Sequence, residues 1–477
     1  MRSVTAPPLK SSLCVLACGI ASACMVGPNY HRPAAPTSPT YKEAQGWAPA
    51  DPSDAADRTD WWTAFGDPTL NDLEKRVEIS NQNLAASEAA YRQAVALVAE
   101  QRATLFPTVS LNGSVTVTHG GFSNGTGTTI GGNATTSSYN VGAGASWAPD
   151  LWGGIRRSIQ NAKANAQASD AQLADARLSA QMELATDYIT LRQLDEEKRI
   201  LDATVAAYAK SLAVTQNKYK AGVAAKSDVL TAETQLASTQ ATDTDLEQQR
   251  AKSEHAIALL VGQTPASLTL PPAKWALQLP EIPAEVPSTL LQRRPDIASA
   301  ERLAAAASAA IGVQVATYFP SLTLSAQGGL GGSGLGQLIN ASNPFGTLGA
   351  TAAETIFDAG ARHARVQAAK AAYDQAVANY RETVLTAFGQ VEDNLAAQRV
   401  LGGEQVLTKR ATDAAVANEA ITLNEYRAGT VDYTTVATAQ AAALATQNTE
   451  LQTEAYRLTT AVDLIAALGG GWTAPAH

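Results

Sequence analysis

The side chains of this 477-residue chain that could do chemistry are few and poorly placed for it. Five histidines, His31, His119, His255, His363 and His477, are scattered without metal-ligand spacing. Gly328 to Gly336 is glycine-rich, but no Lys-Ser/Thr follows to complete a phosphate-binding loop. Asp195, Glu196 and Glu197 form an acidic run on a long helical stretch and read as a solvated helix face. No catalytic residue, cofactor site or metal site is expected. The remaining reactive type is cysteine, and Cys14, Cys18 and Cys24 all lie at the N-terminus.

Arg2 and Lys10 precede an apolar stretch from Leu13 to Ala23, which ends in the small residues Ala21-Ser22-Ala23. That is the layout of a secretory signal peptide, too short to span a membrane as a helix. Cleavage before Cys24 leaves one mature cysteine and no intrachain disulfide. The arrangement resembles a bacterial lipoprotein signal, with the first mature cysteine lipidated. Cys24 is the favoured position, although Ala21 departs from the usual Leu. Val15-Leu16-Ala17-Cys18 makes Cys18 the competitor, and an ordinary signal peptide is the third reading.

The elements around these residues repeat. Phe106-Pro107-Thr108-Val109-Ser110-Leu111 returns as Phe319-Pro320-Ser321-Leu322-Thr323-Leu324, and Tyr219-Lys220-Ala221-Gly222 returns as Tyr426-Arg427-Ala428-Gly429. The unit is about two hundred residues, far longer than a solenoid repeat. Residues 28–59 read as an extended Pro- and Ala-rich tether, and the folded body begins near Trp61-Trp62. One helix is expected from about Leu70 to Leu105. Past Pro107 the period becomes two: Val109, Leu111, Val115 and Val117 alternate with polar residues, as do Tyr139, Val141, Ala143, Ala145 and Trp147. Gly120 to Ser137 reads as a loop. The second copy has Leu322, Leu324 and Ala326, a Gly-rich loop from Gly328 to Gly346, and a strand through Leu348, Ala350, Ala352 and Ile356, on whose apolar side Glu354 falls unexplained. Long Ala-rich helices follow each strand pair, about Gly153 to Tyr219 and Gly360 to Tyr426. Breaks at Gly222 and Gly429 lead to second helices, about Lys226 to Val261 and Tyr433 to Leu468. Six prolines between Pro265 and Pro287 mark a linker.

A net charge of −9 excludes the basic patches of a nucleic-acid binder, and no apolar run reaches the ~18 residues of a spanning helix. The strands do have the length that crosses a bilayer when tilted. Strands in lipid must close into a barrel. Four are too few, since known barrels begin at about 8, so the membrane reading forces oligomerisation. Phe106, Tyr139, Trp147, Trp152, Phe319 and Phe357 lie at or near strand ends, where aromatic girdles sit. A soluble β-sandwich with these aromatics as ordinary core stays open on patterning alone.

The ordered set Cys24-Met25-Val26-Gly27-Pro28-Asn29-Tyr30, Trp61-Trp62, Phe65-Gly66-Asp67-Pro68, Phe106-Pro107, Asp150-Leu151-Trp152-Gly153, Arg293-Arg294-Pro295-Asp296-Ile297, Phe319-Pro320-Ser321-Leu322, Phe357-Asp358-Ala359-Gly360 and Tyr426-Arg427-Ala428-Gly429 resembles the TolC-like outer membrane factors of tripartite efflux systems, in particular the NodT/OprM-type lipoprotein branch. The resemblance implies an α+β membrane protein in which three chains of four strands each close a twelve-stranded outer-membrane barrel, continued by a long periplasmic α-helical barrel. It implies a lipid-anchored homotrimer that conducts drugs or other small molecules passively, served by a periplasmic adaptor and an inner-membrane RND pump. A type I secretion channel for polypeptides and a non-pore periplasmic scaffold or adhesin are the alternatives.

The domain boundaries expected are a signal peptide at 1–23, a lipid-anchored tether and equatorial segment at 24–60, a first efflux repeat at 61–263, a linker at 264–288, a second repeat at 289–470 and a tail at 471–477. The resemblance also places the glycine turns at the periplasmic tip. Asp432, and less so Asp228, become candidates for an acidic gate ring, with helix capping as the plain alternative. The family often carries an Asp slightly further on, where this chain has Thr435 or Thr438. Tyr219, Tyr426 and Arg427 are candidates for inter-helix bonds that hold the tip closed. The two turns differ, Lys226-Ser227-Asp228 against Tyr433-Thr434-Thr435, and that difference is where a gate is expected.

Overall fold

The computed structural model describes residues 25–36, 40–43, 60–120, 134–280, 293–336 and 344–470. The signal peptide, Cys18, Cys24 and the C-terminal tail lie outside them. Two compact units emerge: Met1–Pro33, Arg92–Ala168 and Glu301–Ala378 form one, and Ala34–Tyr91, Ser169–Ala300 and Asn379–His477 the other.

The element order is α1 (Pro68–Ser80), α2 (Gln82–Ala103), β1 (Thr108–Gly120), β2 (Ala134–Trp147), α3 (Gly154–Lys220), α4 (Lys226–Leu260), α5 (Pro295–Ala316), β3 (Ser321–Gly332), β4 (Pro344–Ala353), α6 (Ala361–Ala428) and α7 (Tyr433–Ala467). The repeat is nearly residue-perfect. α2 and α5 both have 22 residues, α3 and α6 have 67 and 68, and α4 and α7 both have 35.

The first unit holds an antiparallel sheet in the order β1-β2-β3-β4, so the β2–β3 pairing joins the two copies. Register aligns Val115 with Tyr139 and Asn112 with Gly142, which puts the apolar and polar rows on opposite faces. The apolar row has no cover among the described residues: Leu111 is 80% exposed and Leu348 89%. β1 and β4 are left as edges.

The strands are longer than the alternation predicts. β2 starts at Ala134, and Gly328, Gly329, Gly331, Gly332 and Gly346 belong to β3 and β4, not to a loop. Glycine has no side chain to declare a face, so period-two patterning fades where the ladder continues. Conversely β4 stops at Ala353, which leaves Glu354 and Ile356 outside the strand and removes the Glu354 anomaly.

Each strand-to-helix junction is stapled in the same way. The Asp150 carboxylate accepts from the backbone N–H of Ile155 (3.1 Å) and Arg156 (2.9 Å) and from Arg156 Nε (3.0 Å). Asp358 accepts from the backbone N–H of Gly360 (3.1 Å) and Arg362 (2.9 Å) and from Arg362 Nε (2.9 Å). Carboxylates at a helix N-terminus satisfy its orphan donors. The N-terminal segment docks in this unit too: Val26 N–H donates to Trp152 O (3.1 Å). Buried Arg157 donates to the carbonyls of Val26 and Gly27 and to Asn29 Oδ1, at 3.0, 3.0 and 3.1 Å.

The second unit is helical. Its largest core joins Trp62, Phe65, Leu70, Leu73 and Val77 to Leu184, Tyr188, Ile189, Ile257, Leu268, Leu270 and Val462. The helix expected over 70–105 is two, broken at Asn81. The Asn81 carbonyl oxygen accepts from Asn83 and Leu84 N–H (2.9 and 3.1 Å), while its amide donates to Leu260 O at 2.9 Å. An Asn that caps a new helix start outcompetes continuation of the old one.

Neither the tether nor the linker is bare chain. Tyr41 is buried with Val384, Ala387 and Val391, and Leu268 and Leu270 enter the main core. Asp195 is likewise not solvated. It is buried, with Arg192 Nη1 at 2.7 Å and Arg250 Nε at 2.7 Å. Arg192 also donates to Tyr188 OH and Pro271 O, and Arg250 to Leu270 O, at 2.9, 3.0 and 2.6 Å. Tyr188 OH donates to Asp67 Oδ2 (2.7 Å), and Asp67 Oδ1 caps α1 through Thr69 N–H (2.7 Å).

Glu74 of α1 is fully buried, and its oxygens accept no hydrogen bond among the described residues. Burial, with Glu78 adding to it, pushes its carboxyl up to about 9. The folded protein therefore holds a proton there that the unfolded chain gives up. The Glu74 contribution is complete below about pH 4 and declines as pH rises toward 9. Glu74→Gln is expected to flatten the pH dependence of thermal stability across that window; melts from pH 5 to pH 9 that stay parallel for both proteins would discount it.

Candidate functional site

Three places carry the residues singled out in the sequence: the sheet ends, the two glycine turns, and the N-terminal cysteines outside the described residues.

Phe106, Trp147, Trp152, Phe319 and Phe357 flank the ends of the strands that join the helices. Trp152 stacks on Phe319 with ring centroids 4.9 Å apart and donates from Nε1 to Pro320 O at 2.7 Å. Trp147 Nε1 donates to Leu105 O at 2.9 Å. Each indole thus spends its N–H on backbone at a strand end while its ring stays at least partly accessible, Trp147 exposed and Trp152 half-buried, the arrangement suited to an interface. Phe106 and Phe357 are exposed. Tyr139 is the exception: it lies inside β2, opposite Val115 and the last residue of β3, Gly332. Patterning missed Phe345, at the other end of the sheet, because it sits beside glycines instead of in an alternating run.

The glycine turns lie in the helical unit. Gly222 (φ +74°) and Gly429 (φ +82°) take the left-handed conformation that ends a helix. Both copies close in the same way, Val223 N–H to Lys218 O and Thr430 N–H to Glu425 O, each at 3.0 Å. The helices that follow start differently. Asp432 is the N-cap of α7, accepting from Thr435 N–H (2.9 Å) and Thr435 Oγ1 (2.7 Å), and these bonds hold its carboxyl below the usual range. Before α4 the N-cap is Ala225, which has no side chain to accept, and Asp228 reaches back to Ala225 N–H at only 3.4 Å.

Tyr426 is drawn into inter-helix contact. Its hydroxyl pairs with Thr215 Oγ1 at 3.0 Å, its carbonyl accepts from Lys218 Nζ, and that ammonium lies 3.9 Å from its ring centroid. Its ring meets Tyr433 edge-on at 5.6 Å. Tyr433 is fully buried, and burial pushes its hydroxyl up to about 12. Tyr219 and Arg427 do not join this cluster. Tyr219 is exposed, and Arg427 bonds Asn424 one turn back on its own helix at 3.2 Å. Tyr433 was reached in the sequence only as part of the difference between the two turns, and Thr215 and Lys218 were missed. No group of three or more His, Cys, Asp or Glu among the described residues could hold a metal.

A family model described as outer membrane efflux protein matches residues 74–263 and 286–470, the two copies of the repeat. The pyoverdine export outer membrane protein OpmQ of Pseudomonas aeruginosa is 32% identical over 427 residues, 88% of this chain and 89% of that protein. The probable efflux pump outer membrane protein TtgC of Pseudomonas putida is 31% identical over 462 residues, 95% of this chain and 94% of that one. Among solved structures, the outer-membrane channel OprN is 30% identical with a TM-score of 0.86, covering 94% of this chain and all of that one. With both copies matched and relatives aligned nearly end to end, the chain belongs to the outer membrane efflux protein family.

Proposed function

We infer that this protein is the outer membrane channel subunit of a tripartite efflux pump, working as a homotrimer whose three sheets close one twelve-stranded barrel. The observation that carries the reading is the sheet: a long apolar row with no cover, and two edges with no partner, among the described residues. In water such edges invite aggregation, and in lipid they are untenable unless another copy pairs them. Four strands from each of three copies meet the barrel minimum of about 8. The helices carry the conduit into the periplasm, where a periplasmic adaptor and an inner-membrane pump of the RND class supply small-molecule cargo and the energy to move it.

The lipid anchor is assigned to Cys24, with Cys18 as the competing position. Met25 follows directly, and the bonds of Val26 to Trp152 and Arg157 tie the next residue to the aromatic end of the sheet. The glycine turns form the inner tip, where Asp432, and less so Asp228, contribute to an acidic ring, and Tyr219, Tyr426 and Arg427 supply inter-helix bonds that hold it closed.

Membrane fractionation followed by native mass measurement tests the main reading. An outer-membrane trimer that dissociates on heating is expected, and a soluble monomer would overturn it. The ring is tested by Asp432→Asn, which keeps an N-cap acceptor while removing the charge. Cation preference of single channels is expected to fall while α7 stays folded; unchanged preference removes Asp432 from the ring.

A further inference from the structure

The four strands carry no Asp, Glu, Lys or Arg. From Ala103 to Pro149, and again from Leu303 to Ala353, the chain holds no Asp, Glu, Lys or Arg. The polar face of the sheet is therefore built mainly from hydroxyls, amides and glycines, and it carries one aromatic residue. Register puts Asn112, Gly142, Gly329 and Phe345 in a single row across all four strands, so Phe345 stands on the polar face.

Its ring leans over Gly329: a Cβ there would meet Phe345 Cε1 at 3.0 Å and Val141 O at 2.4 Å. A Cβ on Gly142 would meet Gly328 O at 2.8 Å. The two glycines thus keep a flat floor beside the ring. Covering a glycine can stabilise a sheet, yet Phe345 remains 40% exposed. Around it lies a cavity of about 380 Å³, lined by Asn112, Ser114, Asn140, Gly142, Gln327 and Phe345 among others. The Asn112 and Asn140 amides each donate to a serine hydroxyl, Ser110 and Ser138, at 3.2 Å, which leaves their carbonyl oxygens as acceptors.

We propose that this cavity is a binding station for uncharged aromatic solutes bearing hydroxyl or N–H donors, with the ring stacked on Phe345 and the donors on the Asn and Gln amides. An aromatic face beside neutral acceptors favours such a solute, while an ion finds no Asp, Glu, Lys or Arg on the sheet to pair with. The station rests on the channel reading for its use in export, since the polar face lines the lumen only in the closed barrel.

The test uses the full-length protein in lipid nanodiscs, with 4-nitrophenyl glucoside as probe and methyl glucoside as its ringless control. Saturation-transfer NMR is expected to show the nitrophenyl protons in contact with protein, with apparent affinity about fivefold weaker in Phe345→Leu and retained in Phe345→Trp. Equal signals from the two glucosides, or no change in Phe345→Leu, overturn the station. If Phe345→Leu fails to assemble, Asn112→Leu leaves the ring in place and is expected to weaken the same contact; an unchanged affinity there is equally fatal. Single-channel recordings separate the two ideas: no conductance with intact probe binding sinks the channel reading alone, and normal conductance with no probe binding sinks the station alone.

Discussion

Val115→Arg is expected to prevent assembly of the heat-dissociable trimer, while Thr116→Arg, one residue away, leaves it largely intact. Val115 stands on the uncovered apolar face near the middle of β1, opposite Tyr139, and Thr116 points to the polar face opposite Ser138. An arginine at the lipid midplane costs a transmembrane barrel about 2–4 kcal/mol per site, and each trimer would carry three. On the polar face, which lines the lumen of the proposed barrel, the same charge would meet water. Outer-membrane trimer yield and susceptibility of the host to efflux substrates read the contrast. Equal behaviour of the two variants would remove lipid from the apolar face and return the sheet to a soluble packing role.

The second large effect is expected from the helical unit. Asp195→Ala should destabilise the folded chain by about 3–5 kcal/mol, because it strands the Arg192 guanidinium in a site where both partners are nearly fully buried. The loss reaches further than one pair. Asp195 also accepts from Ala273 N–H at 3.2 Å and from Arg250, so the segment from Leu270 to Ala273 loses one of its fastenings to α3 and the arginines that hold the rest lose their anchor. Arg399→Ala is the control. Its partner Glu43 and its own side chain are solvent-accessible, and such pairs contribute about 0–1 kcal/mol. Denaturant melts that shift equally for the two variants would show that the network does not hold the unit. Replacing Arg192 and Asp195 together by leucine is expected to cost less than either single truncation, since no charge is then left unpaired.

These residues also show what could be read from the chain and what could not. The strands announced themselves where Val and Leu alternate with Ser and Asn, as from Val109 to Val117, because the pleat puts successive residues on opposite faces of the sheet. They disappeared from view at Gly328 to Gly332, where pairing is set by backbone and neighbours. The long helices were legible because alanine runs without proline leave few other choices, and their ends were marked by Gly222 and Gly429. Asp195 was misjudged because an acidic triplet looks the same whether it meets water or two arginines, and its second partner, Arg250, lies on another helix. Asp432 was visible as a residue of interest, and the role the single chain gives it, capping α7, is the plainer of the two expected. Tyr426 was identified, while Thr215 and Lys218, which bind it, could be found only once α3 and α6 were laid side by side.

The matched lengths of the two copies have a consequence for how such a chain can change. Adding one residue inside α3 would turn everything beyond it by about 100° and advance it by about 1.5 Å, taking Leu184, Tyr188 and Arg192 away from their partners in a single event. The same holds for α4, α6 and α7, whose buried rows run their whole length. Substitutions can therefore accumulate along these helices one at a time, but insertions and deletions cannot. Length variation in descendants of this chain should be confined to the connections between β1 and β2, between β3 and β4, and between α4 and α5. The helices then act as a ruler that the two copies share.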